Sequence, residues 1–243
     1  MKHPLYFISD IHLRLTISEV EKEKRRHLKN FINHVQKKNG SLFIVGDLFD
    51  FWFEYNYVIP KAYFDVLATL HEAKKNGLDI YYIPGNHDFW VKDFASETLF
   101  TQIYPDGFTL ECQGKKFFIT HGDGLLSWDR GYRIFKKIIT SRFFIFLFHW
   151  VHPDLGYKFA HWFSRRSRHY EHPEEYNIAV ISELTEYANN HFQNGIDYFI
   201  TGHYHQTKEV DTDNGKLIVL GDWISYRSFG YFDGEELSLN YWR

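Results

Sequence analysis

The chain has 243 residues, 44% hydrophobic, 24% charged and 20% aromatic, enough for one sizeable core and ordinary for a globular protein apart from the aromatic excess. A net charge of −3 with histidine neutral gives no electrostatic basis for nucleic-acid binding. The single cysteine, Cys112, excludes a disulfide framework or a thiolate metal site within the chain, so a reducing, cytoplasmic setting is expected.

The first residues, Met1-Lys2-His3-Pro4, lack the apolar core of a signal peptide. No apolar run approaches the ~20 residues that span a bilayer. The longest, Phe143 to Val151, is too short and contains His149. In chain order, Leu5–Ser9 reads as a buried strand ending at Asp10. Ser18–Lys38 reads as a helix with Leu28, Phe31, Ile32 and Val35 on one face. Leu42–Val45 is a second strand, ending at Gly46-Asp47. Lys61–Lys75 is an amphipathic helix with Gly77 as its C-cap, and Asp79–Ile83 is a third strand. This βαβ spacing implies parallel pairing. Phe108–Cys112 and Lys116–Thr120 form a predicted hairpin that delivers His121. Pro173–Asn190 is helical, Tyr198–Thr201 and Leu217–Leu220 are strands, and Tyr231–Asp233 with Leu237–Tyr241 closes the chain as a hairpin. No repeat or linker divides the sequence, so 1–243 reads as a single domain.

One segment has a different composition. Arg130 to Arg168 holds nine Lys or Arg residues, eleven aromatics and a single acid, Asp154. It reads as a helical, basic and aromatic insertion at 130–170. Its apolar side chains can be simple helical core with a solvated cationic face. They can equally form a lid that lines an acyl pocket or meets an anionic membrane surface.

The chemistry sits at the strand ends. Asp10, Asp47, Asn86, His121 and His203 each fall just after a predicted strand, and open α/β sheets gather ligands beyond those ends. Asp10 and His12 alternate by two, as do His203 and His205. An extended chain would project both members of a pair to one side. Carboxylate, amide and imidazole groups without thiolate suit Mn, Fe, Zn or Mg.

Asp10-x-His12, Gly46-Asp47, Gly85-Asn86-His87-Asp88, His121-Gly122-Asp123 and Gly202-His203-x-His205 together resemble the calcineurin-like metallophosphoesterase signature. Longer stretches, Gly46 to Trp52, His121 to Leu125 with Asp129 and Tyr132, and Val219 to Trp223, resemble its UDP-2,3-diacylglucosamine hydrolase branch of lipid A synthesis. The resemblance implies an α/β (α+β) fold, a four-layer αββα sandwich of two mixed β-sheets flanked by helices, with a helical insertion. It implies two divalent metal ions, with Mn favoured over Fe, Zn or Mg. Asp10, His12 and His205 would bind one, Asn86, His121 and His203 the other, and Asp47 would bridge them. Two such ions ~3.5–4 Å apart can clamp both oxygens of an in-line displacement. His87 would be catalytic, stabilising the transition state or donating a proton. Asp88 and Asp123 would orient ligand imidazoles. Asp129, Trp52 and Arg130 are the candidate substrate contacts, with core packing an equal reading for Trp52.

The implied function is phosphoester or pyrophosphate hydrolysis, cleaving UDP-2,3-diacylglucosamine to 2,3-diacylglucosamine 1-phosphate and UMP. The implied location is cytoplasmic, peripheral to the inner face of the membrane through 130–170. One departure leaves an alternative open: the branch carries arginine where this chain has His87, whereas histidine is usual in the wider family. A related enzyme acting on another nucleotide or lipid phosphodiester therefore stands beside the first reading. A scaffold that kept the fold but lost catalysis, binding a membrane or partner through the insertion, is a further alternative.

Overall fold

The computed structural model describes residues 2–158 and 173–243. The first half alternates strand and helix: β1 (Leu5–Ile8), α1 (Glu19–Lys37), β2 (Ser41–Val45), α2 (Phe64–Lys75), β3 (Asp79–Ile83) and β4 (Gln102–Ile103). β1, β2, β3 and β4 pair in parallel in sequence order. After them come β5 (Phe108–Cys112), β6 (Lys115–Thr120), α3 (Arg130–Ile139), α4 (Arg142–His149), a short helical stretch at 153–158, and α5 (Glu174–Phe192). The chain ends with β7 (Tyr198–Thr201), β8 (Thr207–Asp211), β9 (Lys216–Leu220), β10 (Ser228–Phe232) and β11 (Leu237–Tyr241). One sheet has the order β11-β10-β1-β2-β3-β4 and the other β5-β6-β7-β9-β8. Both are mixed.

Side-chain alternation along the strands builds the layers. Leu5, Phe7, Phe43, Val45, Tyr81 and Ile83 face the second sheet and meet Phe117, Ile119, Ile200, Ile218 and Leu220. The intervening Tyr6, Ile8, Leu42, Ile44, Ile80 and Tyr82 face outward and pack under Leu28, Phe31 and Ile32 of α1 and Val66 and Leu70 of α2. On the far side, Phe199, Leu217 and Val219 pack under Val180, Leu184 and Ala188 of α5. These clusters are the three interfaces of an αββα sandwich, as the family resemblance implied. In the central interface Phe43 stacks between Phe7 and Tyr81, with ring centroids 4.9 and 4.8 Å away.

Most elements fall close to their expected bounds, but the strand expected at Tyr231–Asp233 runs from Ser228 to Phe232, and β4 was not expected. The predicted helix over 61–75 is a single 3₁₀ turn (Lys61–Tyr63) followed by α2. Gly77 caps α2 as expected, at φ +88° with its amide on the Lys74 carbonyl. β8 is an additional strand. Its sequence, Thr-Lys-Glu-Val-Asp, is polar because it lies at a sheet edge with no buried residue. Among the described residues, no helix is long and apolar enough to cross a membrane.

Phe43→Ala should cost about 3–5 kcal/mol by opening a cavity between the sheets. A urea titration would register it as a lower midpoint with an unchanged slope.

Candidate metal centre

β1, β2 and β3 of one sheet and β6, β7 and β9 of the other present their carboxyl ends to the same edge of the sandwich. Backbone hydrogen bonds link neighbouring loops there. The amides of Asp10 and His12 reach the carbonyls of Gly46 and Asp47 at 3.1 and 2.9 Å. The amide of Gly202 reaches His121 O at 2.9 Å, and that of Trp223 reaches Asp10 O at 3.1 Å.

The local conformation of these loops differs from the extended chain expected for Asp10-x-His12 and His203-x-His205. Asp10, His12, Asp47, His203 and His205 all have positive φ, at 54°, 45°, 52°, 71° and 54°. Left-handed backbone is uncommon outside glycine and concentrates where function holds it in place. It lets each strand end turn sharply so that the side chain points back over the sheet edge. Glycines make room for this. A methyl group on Gly46 would overlap the His121 ring, and one on Gly202 would overlap Ser9 Oγ.

All seven expected ligands converge. Ligand atoms of Asp10, His12 and His205 form one group with mutual distances under 4.8 Å, and those of Asp47, His121 and His203 form another. Asn86 Oδ1 lies 3.1 Å from His121 Nε2 and so joins the second. Asp47 Oδ2 lies 3.6 Å from His12 Nε2 and 3.5 Å from His121 Nε2, between the two groups. His87 comes closer than its expected role required, since a ring nitrogen groups with Asp47 and His12 within the same 4.8 Å limit.

The hydrogen bonds fix which nitrogens look inward. His121 Nδ1 donates to the Val45 carbonyl at 2.9 Å, His87 Nδ1 donates to the Asp50 carbonyl at 2.9 Å, and His205 Nδ1 faces the Asp222 carboxylate at 3.3 Å. A ring whose single proton sits on Nδ1 offers its Nε2 lone pair to the site. His205 Nε2 lies 3.2 Å from His12 Nε2, and His121 Nε2 lies against the Asn86 amide oxygen. Such contacts set lone pair against lone pair unless a proton or a cation stands between them. Asp10 Oδ1 and His12 Nδ1, both buried, accept or donate no hydrogen bond.

The electrostatics point the same way. Burial opposes ionisation of Asp10, but the nearby His205 and His12 rings outweigh it and hold the carboxyl at about 2. Asp47 is likewise held well below the usual carboxylate range: burial raises it, and the His121 and His87 rings prevail. Burial depresses His121, yet the Asp47 carboxylate lifts it to about 10. His205 is lifted against burial to about 9 by Asp10 and Asp222. His203 is pushed down to about 4 by burial and by His121. Buried carboxylates here demand positive charge, and oxygen and imidazole donors suit hard or borderline divalent ions.

Several expected roles change. Asp88 is fully buried, but its carboxylate holds backbone rather than imidazoles. It accepts from the amides of Gly85, Phe49 and Asp47 at 2.8, 3.1 and 3.3 Å and so locks the β2 and β3 loops together. Asp123 Oδ2 accepts from Tyr132 Oη at 2.5 Å and sits 2.6 Å from Lys136 Nζ, which joins it to α3 instead of to a ring. Trp52 has no exposed surface. It stacks 4.5 Å from Phe49 in the core and cannot touch a substrate. Asp129 is half-buried just before α3, and Arg130 is exposed at its start. Asp222 is the residue that sequence reasoning left without a role. Its Gly-Asp pair after β9 repeats the Gly46-Asp47 pattern after β2, which is the signal that could have found it.

The Calcineurin-like phosphoesterase family model matches residues 3–207. The chain belongs to the calcineurin-like phosphoesterase family. Members hydrolyse phosphoesters and the fold implies divalent metal, so the chain is a metal-dependent hydrolase of that kind. It is 29% identical to the UDP-2,3-diacylglucosamine hydrolase of Porphyromonas gingivalis, covering 98% of this chain and 97% of that one. It is 31% identical to the enzyme of the same name from Neisseria meningitidis serogroup B, covering 96% and 95%. An archaeal phosphodiesterase structure shares the fold with a TM-score of 0.50 at 15% identity, covering 98% of this chain and 99% of that one.

Asp222→Asn should weaken binding of one Mn²⁺ by about 10–100-fold, because His205 loses the carboxylate that fixes its ring and raises its basicity. Isothermal titration of the purified phosphoesterase checks this.

Proposed function

We propose that the chain hydrolyses the pyrophosphate of UDP-2,3-diacylglucosamine, releasing UMP and 2,3-diacylglucosamine 1-phosphate, with two Mn²⁺ ions as cofactors. The convergence of seven carboxylate, imidazole and amide donors at one sheet edge carries the hydrolytic part of this reading. The names of full-length relatives at 29–31% identity support the substrate. Asp10, His12 and His205 would hold one ion and Asn86, His121 and His203 the other, with Asp47 between them. Bound there, the ions would supply positive charge for phosphoryl oxygens and acidify a water.

The protein's own residues do the rest. Val45 and Asp50 carbonyls and the Asp222 carboxylate fix the tautomers of His121, His87 and His205. His87 Nε2, when protonated, stabilises charge developing on the phosphoryl oxygens or gives its proton to the departing oxygen. The overall reaction adds one water across the P–O–P bond. Histidine at this position, where the branch resembled in sequence has arginine, favours a second reading: a related phosphodiester of another nucleotide or lipid.

The described part of the insertion, 130–158, serves as a lid over this edge; 159–170 lie outside the described residues. Part of it packs. Phe148 lies 5.1 Å from Trp90 and 4.6 Å from Phe53, and Trp90 Nε1 donates to the Ile139 carbonyl at 3.1 Å. Part of it faces out. Phe143 and Trp150 are 71% and 79% exposed, and no residue of α3 or α4 is fully buried. These exposed rings, with the exposed Lys137 and Arg142 on the same two helices, suit an acyl chain and an anionic inner-membrane surface on the cytoplasmic side.

Purified protein with the lipid and Mn²⁺ should release UMP, and chelation should abolish release until Mn²⁺ is restored. No UMP alongside rapid turnover of a soluble phosphodiester would select the second reading. His121→Ala should lose turnover by at least a hundredfold, about 2.7 kcal/mol or more in the barrier, with circular dichroism unchanged. Phe143→Asp/Trp150→Asp should lower activity on vesicle-borne lipid while sparing a soluble phosphodiester.

A further inference from the structure

We propose that Lys24 of α1 is a positioning residue for His12, and that the metal position of Asp10, His12 and His205 depends on it. The inference rests on the metal-site reading above.

Glu21, Lys24 and Arg25 lie on the face of α1 that further along buries Leu28, Phe31, Ile32 and Val35. All three charged side chains are themselves buried. A helix face against a core ordinarily takes apolar residues, because desolvating charges is costly even when they are paired. Their contacts explain why charge stands here. The Lys24 ammonium has three protons and three acceptors: the Ile11 carbonyl at 2.8 Å, the His12 carbonyl at 2.6 Å and Glu21 Oε2 at 2.9 Å. The other Glu21 oxygen accepts from the Arg14 amide at 2.9 Å and Arg25 Nε at 3.0 Å. Arg25 Nη2 donates to the Arg14 carbonyl at 2.6 Å, while Nη1 reaches Asp65 Oδ1 at 2.8 Å.

These three side chains therefore grip the backbone of residues 11–14. That segment carries His12 at φ +45°. A left-handed residue persists only where its surroundings hold it. On the amide side, His12 and Leu13 bond to the carbonyls of Asp47 and Leu48. On the carbonyl side, the Lys24 ammonium is what meets Ile11 and His12. An apolar side chain of equal length could fill the volume but would leave two carbonyls without that donor. The turn would then relax, and the ring it carries must keep Nε2 within 3.6 Å of Asp10 Oδ1 and Asp47 Oδ2. Lys24 thus acts on the metal through the backbone, without touching it.

Equilibrium dialysis of the full chain against Mn²⁺ tests this. Wild type should hold two ions. Glu21→Gln/Lys24→Met, which removes the cation without stranding a buried carboxylate, should bind one ion normally and the other about 10–100-fold more weakly. At intermediate Mn²⁺, electron paramagnetic resonance should show a coupled pair in wild type and an isolated ion in the variant. Lys24→Arg should restore part of the lost affinity. Leu28→Ala, which weakens the same helix without touching residues 11–14, should bind both ions as wild type does. If the double variant does not fold, Lys24→Gln must show the same asymmetry. Wild-type affinity for both ions in a folded Lys24 variant overturns the proposal, as does the same selective loss in Leu28→Ala. Wild type binding no Mn²⁺ would instead fail the metal-site reading, and the inference with it.

Discussion

Buried negative charge at one edge of the sandwich is the constraint on which the rest depends. Asp10 and Asp47 are almost wholly withdrawn from water, and Asp88 and Asp222 lie close by. Such groups persist only where positive charge and hydrogen-bond donors surround them. The donors come from backbone amides: His203 N on Asp10 Oδ2, His87 N on Asp47 Oδ1, and three amides on Asp88. The positive charge comes from protons on His121 and His205 or from cations. Every loop at this edge is shaped to supply one or the other.

Two layers of support serve that end. The sheets bring six strand ends to one edge, and the left-handed turns then redirect each side chain inward. The turns are unfavourable locally and stable globally. Buried side chains of the neighbouring elements bond to the backbone on either side of them, as Asp88 does between β2 and β3 and Lys24 does behind β1. The geometry of the site is in this sense distributed over residues that never face it.

That the candidate donors would meet at one edge was legible because each follows a short β-branched or aromatic run and sits in a compact polar terminus (Asp-x-His, Gly-Asp, Gly-Asn-His, His-Gly-Asp or Gly-His-x-His), and the fold needs only parallel strands to bring these together. The βαβ half was equally legible, since its hydrophobic runs are buried on both faces. β8 was not, because an edge strand needs no apolar pattern. For Trp52, of the site wall and core packing that the sequence left open, the structure selects the core. Its neighbours Asp47 and Asp50 face the site, but a bulky ring two residues on had room to turn back into the core. The partners of Asp88 and Asp123 were hidden because which atoms a carboxylate meets is decided by loops far apart in sequence. The burial of Glu21, Lys24 and Arg25 contradicts the expectation that charges on an amphipathic helix face water.

The insertion leaves the chain between β6 and β7, which pair directly in register from Phe117 with Tyr198 to Thr120 with Thr201. His121 and His203 are therefore held by a strand ladder, whatever the intervening chain does. Closing a longer detour between two strands already paired costs little, since loop entropy grows only logarithmically with length. The same sandwich can accordingly exchange its cover as a module. The clustered donors and the insertion then reside in separable parts of one polypeptide, joined where Asp123 meets Tyr132 and Lys136, where Trp90 meets the Ile139 carbonyl and where Phe148 packs on Phe53 and Trp90.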